Sequence, residues 1–281
     1  MTIAVTAVTG QLGASIAKAL VAANSDKSII GLARTPAKAK DLGIEVRPGD
    51  YADTKLLKSS LNGVDTLLLV SGNAAPEDRI AQHRNVINTA NAAGVKKIVY
   101  TSVQGAEEGT AFSAVVQSNR QTEVDVRASG LDWVIARNGI YIEPDIEYID
   151  SYREAGEIAN SAGEGRCGYT TRSELAFAYA QMLLSDKHNR NTYLLHGEPI
   201  NQTQLASFMN QTFGTNLNYR AMSHEEFKAD RIAELGEFIG TIIAGIYQGI
   251  HDGVLDHPSD FEAAAGRPHQ SWQDYFNALR V

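Results

Sequence analysis

Residues 3–13, which read IAVTAVTGQLG, decide the fold predicted for this 281-residue chain. An apolar run ends in a glycine turn, and apolar residues at helical spacing follow from Ala14. Small residues at Ala7, Gly10 and Gly13 let a pyrophosphate approach the backbone at a helix N-terminus. The strand–turn–helix context therefore predicts a dinucleotide site, with an ordinary tight turn as the alternative interpretation.

The rest of the first half alternates short apolar runs with helical patterns. Further strands are predicted at residues 28–33, 45–47, 65–70, 97–102 and 132–136, and helices at 14–23, 54–61, 76–93 and 114–129. This alternation predicts an α/β fold, a Rossmann-like doubly wound parallel sheet with right-handed crossovers. Ligands of such sheets bind at the carboxyl ends of the strands, so the turns there are the candidate sites.

After about residue 140 the alternation loosens. We predict a dinucleotide-binding domain over residues 1–140 and a smaller, mostly helical substrate lobe over 141–281, interleaved with and packed on the first. Helix caps are expected at Asp53, Thr171, Asn201 and Ser223, and a glycine-rich loop over 159–168. The acidic residues Asp145, Glu147 and Asp150 are expected on a solvated helix face. The apolar stretch 239–250 is interpreted as an interface or a lid.

Composition narrows the possible partners. A formal net charge of −8 argues against nucleic acid and anionic membranes. The single cysteine, Cys167, excludes an intrachain disulfide and fits a reducing compartment. No apolar run reaches the ~20 residues of a membrane span, no signal peptide is expected, and no histidine pair has zinc-site spacing. We therefore expect a cytoplasmic monomer or homodimer without a metal, acting on a small molecule.

The turn after the second strand indicates which dinucleotide is bound. An acidic residue at this position takes the ribose hydroxyls of NAD, whereas Arg34 suits the additional phosphate of NADP. A solvated arginine at a loop start is the alternative. Asp50, after the third strand, is either an acceptor for the adenine amino group or a turn residue. Ser71 and Thr101 end the next two strands, where small side chains leave room for a cofactor.

Several motifs together resemble one known family. They are TAVTGQLG (6–13), GLARTPAKA (31–39), GDYAD (49–53), QHRNVINTANAAGVKKIVYTS (82–102), ASGLDWVIARNGIY (128–141) and YTTRSELA (169–176). In order and spacing they resemble the NmrA-like branch of the atypical short-chain dehydrogenases/reductases, from Ile3 to about Leu279. Within it, the chain is most similar to the type 2 NAD(P)H:quinone oxidoreductases and the triphenylmethane-dye reductases.

The resemblance implies bound NADP(H) and a flavin-free hydride transfer to a quinone-like acceptor held by the C-terminal lobe. It implies that Asn138 and Tyr141 lie near the nicotinamide and the acceptor, as candidate catalytic residues. The residues predicted to bind the cofactor are Ala7, Thr9, Gly10, Gln11, Leu12, Gly13, Arg34, Asp50, Tyr51, Ser71, Gly72, Thr101 and Ser102.

One departure from the wider family limits the chemistry. Ordinary short-chain dehydrogenases use a Tyr-x-x-x-Lys pair, in which the tyrosine protonates an alkoxide and the lysine lowers its pKa. Val115 and Asn119 occupy those positions here, and the histidine that close relatives carry at the second one is absent. Reduction of a quinone or a cationic dye does not need such a proton donor, because orientation alone can support it. A non-catalytic NAD(P)-binding redox sensor of the NmrA type is the alternative; a sugar-nucleotide epimerase would need the missing tyrosine.

Overall fold

The structure is a computed structural model that describes residues 1–23 and 26–280. Its strands are β1 (Thr2–Val5), β2 (Ser28–Ala33), β3 (Glu45–Pro48), β4 (Thr66–Leu69), β5 (Lys97–Val103), β6 (Asp132–Asn138), β7 (Ile140–Tyr141), β8 (Glu157–Asn160), β9 (Tyr169–Thr170), β10 (Asn191–Leu195) and β11 (Asn218–Ala221). Its α-helices are α1 (Gln11–Ala22), α2 (Thr54–Ser60), α3 (Pro76–Ala92), α4 (Ser113–Ala128), α5 (Glu143–Glu147), α6 (Ile149–Ala155), α7 (Arg172–Leu184), α8 (Gln202–Phe213), α9 (His224–Leu235), α10 (Glu237–His251), α11 (Phe261–Ala265) and α12 (Trp272–Ala278). Short 3₁₀ helices span Pro36–Leu42 and Asp186–His188.

The central sheet has seven parallel strands in the order β10-β6-β5-β4-β1-β2-β3. Strand β1 pairs with β2 on one side and β4 on the other, so the strand order reverses at β1. A crevice forms at such a reversal, outside the carboxyl ends of the strands. The predicted doubly wound Rossmann-like sheet is confirmed.

Helices cover both faces of this sheet, as a parallel sheet requires. On one face α1, α7 and α11 bury residues such as Ile16, Leu20 and Tyr179. On the other face α2, α3 and α4 bury Leu57 and Val86 together with their neighbours. The same face packs α3 directly against α4, which matters below because both helices border the candidate site.

The predicted helix caps are confirmed. The side chains of Asp53 and Thr171 accept hydrogen bonds from backbone amides at the starts of α2 and α7. Asn201 and Ser223 form complete capping boxes at the starts of α8 and α9. These caps could be predicted because each depends on residues only three positions apart.

The second half of the chain contributes both to the lobe and to the central sheet. Helix α7 packs against α1, and β10 pairs with β6 at the sheet edge, whereas α8, α12 and the β8–β11 pair surround a separate core. The division at residue 140 stays a prediction, and this route agrees with the interleaving it included. The loop predicted over 159–168 is wrong at its start, because β8 continues to Asn160 and pairs with the distant β11.

Helix α10 contains the apolar stretch that the sequence left as an interface or a lid. Gly240 lies against the backbone of α9, where a Cβ atom would come within 2.5 Å of the Ile232 nitrogen. Gly245 lies equally close to the backbone of Phe112, which precedes α4. The glycines therefore let α10 pack tightly against α9 and against the segment that precedes α4. Within residues 1–23 and 26–280, no helix has the length and apolar character to cross a membrane.

Candidate functional site

A cavity of about 980 Å³ lies at the carboxyl ends of the central strands. Every residue predicted to bind the cofactor or to act in catalysis lines it. These are Ala7, Thr9, Gly10, Gln11, Leu12, Gly13, Arg34, Asp50, Tyr51, Ser71, Gly72, Thr101, Ser102, Asn138 and Tyr141. The structure thus brings the predicted residues together, while their individual roles stay predictions.

The glycine turn has the shape that an anion site at a helix start requires. Ala7 adopts a left-handed backbone (φ 51°), and its carbonyl accepts a hydrogen bond from the Gly10 nitrogen at 2.9 Å. A Cβ on Gly13 would lie 2.5 Å from the Ala7 oxygen, so only glycine fits there. Gly10 begins α1 without a side-chain cap, and the first turn holds no acidic residue. The first amides of α1 can therefore face a pyrophosphate, and the site fits a dinucleotide.

Arg34 lies at the carboxyl end of β2, on the rim of the cavity, and its side chain is exposed. An exposed guanidinium at this rim can reach a phosphate without the cost of burying a charge. Lys38, which the sequence suggested as a helper, does not line the cavity. Asp50 accepts a hydrogen bond from the Ala52 amide at 2.9 Å, which is the turn role offered as its alternative.

Tyr51 contributes its ring to the cavity wall, while its hydroxyl is used inside the protein. The hydroxyl lies 2.5 Å from Thr6 Oγ1 and 2.8 Å from the Val70 carbonyl. Burial raises the pKa of this phenol well above its ordinary value. Tyr51 therefore joins the turn after β3 to β1 and β4, and shapes the site without supplying a polar group to it.

A polar network connects the ends of β4 and β5 to α4. Asn119 Oδ1 accepts hydrogen bonds from Ser71 Oγ at 3.1 Å and from the Tyr100 hydroxyl at 2.6 Å. Thr101 Oγ1 accepts from the Ser71 amide at 2.8 Å. Asn119 and Val115, which the resemblance aligned with the usual lysine and tyrosine, both line the cavity. At the position aligned with the tyrosine acid, the structure thus has the apolar side chain of Val115. At the position aligned with the lysine, it has the amide of Asn119, which is held by hydrogen bonds.

The Arg-Asn-Gly motif at the end of β6 has a structural explanation. Arg137 forms a two-pronged ion pair with the buried Glu123, at 2.8 and 2.7 Å, and Ser102 Oγ donates to the same carboxylate at 2.7 Å. Burial raises the pKa of Glu123, but these hydrogen bonds outweigh it and the net shift is downward. Gly139 has no space for a Cβ, which would lie 2.2 Å from the Gly168 oxygen. The motif fixes the turn from which Asn138 reaches the cavity.

The candidate catalytic residues lie next to each other on the cavity wall. Asn138 Oδ1 accepts a hydrogen bond from the Tyr179 hydroxyl at 2.7 Å, and Asn138 Nδ2 lies 3.5 Å from the Tyr141 hydroxyl. The guanidinium of Arg172 lies over the Tyr141 ring, 5.2 Å from its centroid. Burial raises the pKa of Tyr141, with a smaller opposing effect of Asn138 and Arg172. At neutral pH this phenol keeps its proton and can donate a hydrogen bond.

A second cavity, of about 490 Å³, adjoins the first inside the lobe. Tyr141, Pro144, Ile243 and Ile246 line both, so Tyr141 stands where the two meet. The walls of the second cavity include the aromatic residues Tyr148, Tyr152, Phe227 and Tyr247, and charged residues such as Asp230, Arg231 and Glu234 also line it. Helix α10 thus contributes to both cavities, which places the apolar stretch over the site.

The predicted solvated acidic face is wrong for Asp145. Its carboxylate is buried and faces the second cavity, where it accepts hydrogen bonds from Tyr152 at 2.9 Å and Tyr247 at 3.4 Å. Burial raises its pKa to about 6. Glu147 and Asp150 are exposed as expected. Tyr247 is far away in the sequence, so nothing local distinguishes Asp145 from its acidic neighbours.

Other residues of the first cavity were not predicted. Phe112, Ile243 and Ile246 form its apolar side, and Arg79 and Gln82 reach it from α3. The apolar spacing of residues 239–250 was a signal for Ile243 and Ile246. For Arg79 the only local signal is its place one turn inside a helix that starts just beyond β4.

The comparisons with known proteins agree with this geometry. A family model described as NAD(P)H-binding matches residues 8–185, which contain Gly10 and Gly13 of the glycine turn and the later strands whose ends line the cavity. The chain belongs to this NAD(P)H-binding family. Quinone oxidoreductase 2 of Escherichia coli (strain K12) is 36% identical over 231 residues, which cover 81% of this chain and 80% of that protein. The resemblance expected from the motifs is thereby confirmed.

Solved structures of this family match over almost the whole chain. The NADPH-dependent quinone oxidoreductase of Escherichia coli, complexed with NADPH, has a TM-score of 0.90 at 32% identity and covers 99% of both chains. The triphenylmethane reductase of Citrobacter sp., complexed with NADP(H), has a TM-score of 0.89 at 32% identity, covering 99% of this chain and 100% of that one.

Proposed function

We propose that this chain reduces quinones or quinone-like dyes with NADPH, by direct hydride transfer and without a flavin. As an NAD(P)H-dependent oxidoreductase it needs a cofactor site and, next to it, a place for the acceptor. Bound NADPH would supply the hydride. The first amides of α1 would hold its pyrophosphate, and Arg34 would hold the 2′-phosphate that distinguishes NADPH from NADH.

The observation that carries the proposal is the aromatic second cavity that adjoins the cofactor cavity at Tyr141. Flat conjugated molecules pack favourably against aromatic side chains. In this position an acceptor ring would be oriented by the lobe, which we propose as the function of residues 141–281. Tyr141 would donate a hydrogen bond to the acceptor and Asn138 would hold the tyrosine in place.

The wall of the site also fits an acceptor that needs no strong acid. Val115 stands where a tyrosine acid would be, so a simple ketone would receive no proton there. A quinone or a cationic dye delocalises the electrons that it gains, and alignment of donor and acceptor can suffice. A small-molecule acceptor and a reducing cytoplasm, which the single buried Cys167 fits, belong to the same proposal.

The test is the oxidation of NADPH, and separately of NADH, by the purified protein with a series of quinones and triphenylmethane dyes. The protein as purified should carry no flavin absorbance, and turnover should be faster with NADPH at low cofactor concentration. Turnover that requires added flavin would overturn the direct transfer. Tight NADPH binding without turnover of any acceptor would instead favour a redox sensor.

A further inference from the structure

Arg79 is a buried cation at the cavity wall that the proposed function has not used. The residue is only 6% exposed, although arginine is almost never buried without a charged partner. Nη2 donates to the Ala74 carbonyl at 3.0 Å, and Nη1 lies 3.4 Å from Ser118 Oγ. Nε is buried without a hydrogen-bond partner in the described part of the chain.

The neighbouring arginines show how unusual this arrangement is. Arg84, on the same helix, pairs with Asp125, and Arg120 and Arg137 share Glu123. Among residues 1–23 and 26–280, by contrast, no acidic side chain forms an ion pair with Arg79. Burial lowers the pKa of its guanidinium, and its charge contributes to lowering the pKa of His83. A buried charge without an ionic partner is unfavourable, and because Arg79 lines the cavity, a ligand bound there can supply the missing negative charge.

The position of Arg79 indicates which part of the site would hold that ligand. Ser118, its neighbour, directly precedes Asn119, where ordinary short-chain dehydrogenases carry the lysine of their catalytic pair. Arg79 shares the cavity wall with Ser71, which follows β4, and with Asn119 of α4. The glycine turn follows β1 instead, so Arg79 lies toward the end of the site opposite Arg34, which follows β2.

We propose that Arg79 forms an anion site that stabilises the negative charge a quinone acquires during its reduction. This inference rests on the proposed function. The quinone gains a hydride from NADPH, two electrons and one proton, and becomes a hydroquinone anion as NADPH becomes NADP⁺. The anionic oxygen then takes one proton from water. Arg79 lines the cofactor cavity, so its guanidinium would face the quinone oxygen that points away from Tyr141, act as an oxyanion site and replace the positive charge of the absent lysine.

Charge provides a sharp kinetic test. A neutral quinone becomes an anion on accepting hydride, whereas a cationic triphenylmethane dye becomes neutral. Arg79→Met should therefore lower kcat for a neutral quinone about 10- to 100-fold and leave kcat for the dye nearly unchanged. Arg79→Lys should recover part of the quinone activity. Arg84→Met, which removes an exposed arginine from the same helix, is the matched control and should change neither rate.

A second readout does not depend on turnover. 4-Nitrophenol, bound to the NADP⁺ complex, absorbs differently as phenol and phenolate, so its pKa in the site can be titrated. That pKa should be about one unit lower in the original protein and in Arg84→Met than in Arg79→Met. Equal pKa values in all three, or equal losses of kcat on both acceptors, would overturn the anion site. A tenfold weaker binding of NADPH in Arg79→Met with kcat retained would assign Arg79 to the cofactor phosphates instead. If the original protein reduces neither acceptor, the proposed function fails, while the titration still decides for or against the anion site.

Discussion

The Nε2 atom of His83 accepts a hydrogen bond from the backbone nitrogen of Gly72 at 2.9 Å. On the other side of the ring, Nδ1 lies 2.9 Å from Thr122 Oγ1, whose hydroxyl donates to the Ser118 carbonyl. Nδ1 therefore carries the proton, and the neutral imidazole joins the turn after β4 to α4. Burial, together with a smaller effect of Arg79, lowers the pKa of His83 to about 3.

This histidine should make stability depend on pH. An unfolded histidine titrates near 6.5, so between that value and about 3 the unfolded chain binds more protons. The contribution of His83 to the free energy of unfolding is complete above pH 6.5. It is lost as the pH falls, at up to about 1.4 kcal/mol per pH unit. His83→Gln keeps an acceptor for Gly72 but does not titrate. Urea unfolding between about pH 4 and 6 should show a free energy of unfolding that rises less with pH in this variant than in the original protein. The exposed His257→Gln is the control, and an unchanged slope in His83→Gln would contradict the prediction.

Asp145 should make stability depend on pH with the opposite sign. Its pKa is about 6 in the folded protein against 3.8 for the free side chain, so between these values the folded chain binds more protons. The contribution of Asp145 to the free energy of unfolding is complete below pH 3.8 and is lost as the pH rises to about 6. Asp145→Asn removes this loss, and its free energy of unfolding should rise more steeply with pH, by up to about 1.4 kcal/mol per pH unit. Asp150→Asn, in the exposed part of the same acidic segment, should behave like the original protein. Identical slopes for the two variants would disprove the buried acid.

The contrast between Asp145 and the helix caps shows what the sequence can predict. The caps at Asn201 and Ser223, and the glycine turn at Gly10, depend on residues within a few positions, so their patterns are visible locally. Asp145 is buried because Tyr247, 102 residues away, reaches its carboxylate. Arg79 was missed for the same reason, since its neighbour Ser118 belongs to another helix. Strands β8 and β11 pair across a long interval, which left the last two residues of β8 assigned to a loop.

The glycine turn can be tested by two substitutions of equal size. In Gly13→Ala the new methyl group would lie 2.5 Å from the Ala7 oxygen and 2.9 Å from its carbonyl carbon, so backbone must move. In Gly10→Ala the nearest atom lies at 3.3 Å, which a small adjustment relieves. We expect Gly13→Ala to lose about 1–3 kcal/mol of stability and to bind NADPH at least tenfold more weakly, and Gly10→Ala to lose clearly less stability. Thermal unfolding and NADPH titration check this; equal stability of the two variants would refute the close contact.

The hydroxyl of Tyr141 can be tested without removing its ring. Because burial raises the pKa of this phenol, it stays protonated at neutral pH and can donate to an acceptor. Tyr141→Phe should lower kcat for a quinone about tenfold, the value of one hydrogen bond, and leave the KM for NADPH unchanged. Tyr148→Phe is the matched control, because Tyr148 lines only the second cavity and its hydroxyl binds Glu234 at 2.7 Å. Equal losses in both variants would remove the specific role of Tyr141.

In our proposal, Arg34 determines the preference for NADPH over NADH. Its guanidinium lies exposed on the cavity rim, where a 2′-phosphate would form charge-assisted hydrogen bonds worth about 1.5–3 kcal/mol. Arg34→Ala should therefore raise the KM for NADPH by about 10- to 100-fold and leave the KM for NADH nearly unchanged. Lys38→Ala, which removes an exposed charge outside the cavity, should change neither value. Since an exposed pair is screened by salt, added salt should weaken NADPH binding to the original protein more than to Arg34→Ala. An equal rise in the KM for both cofactors would mean that Arg34 supports the fold of the rim and does not recognise the 2′-phosphate.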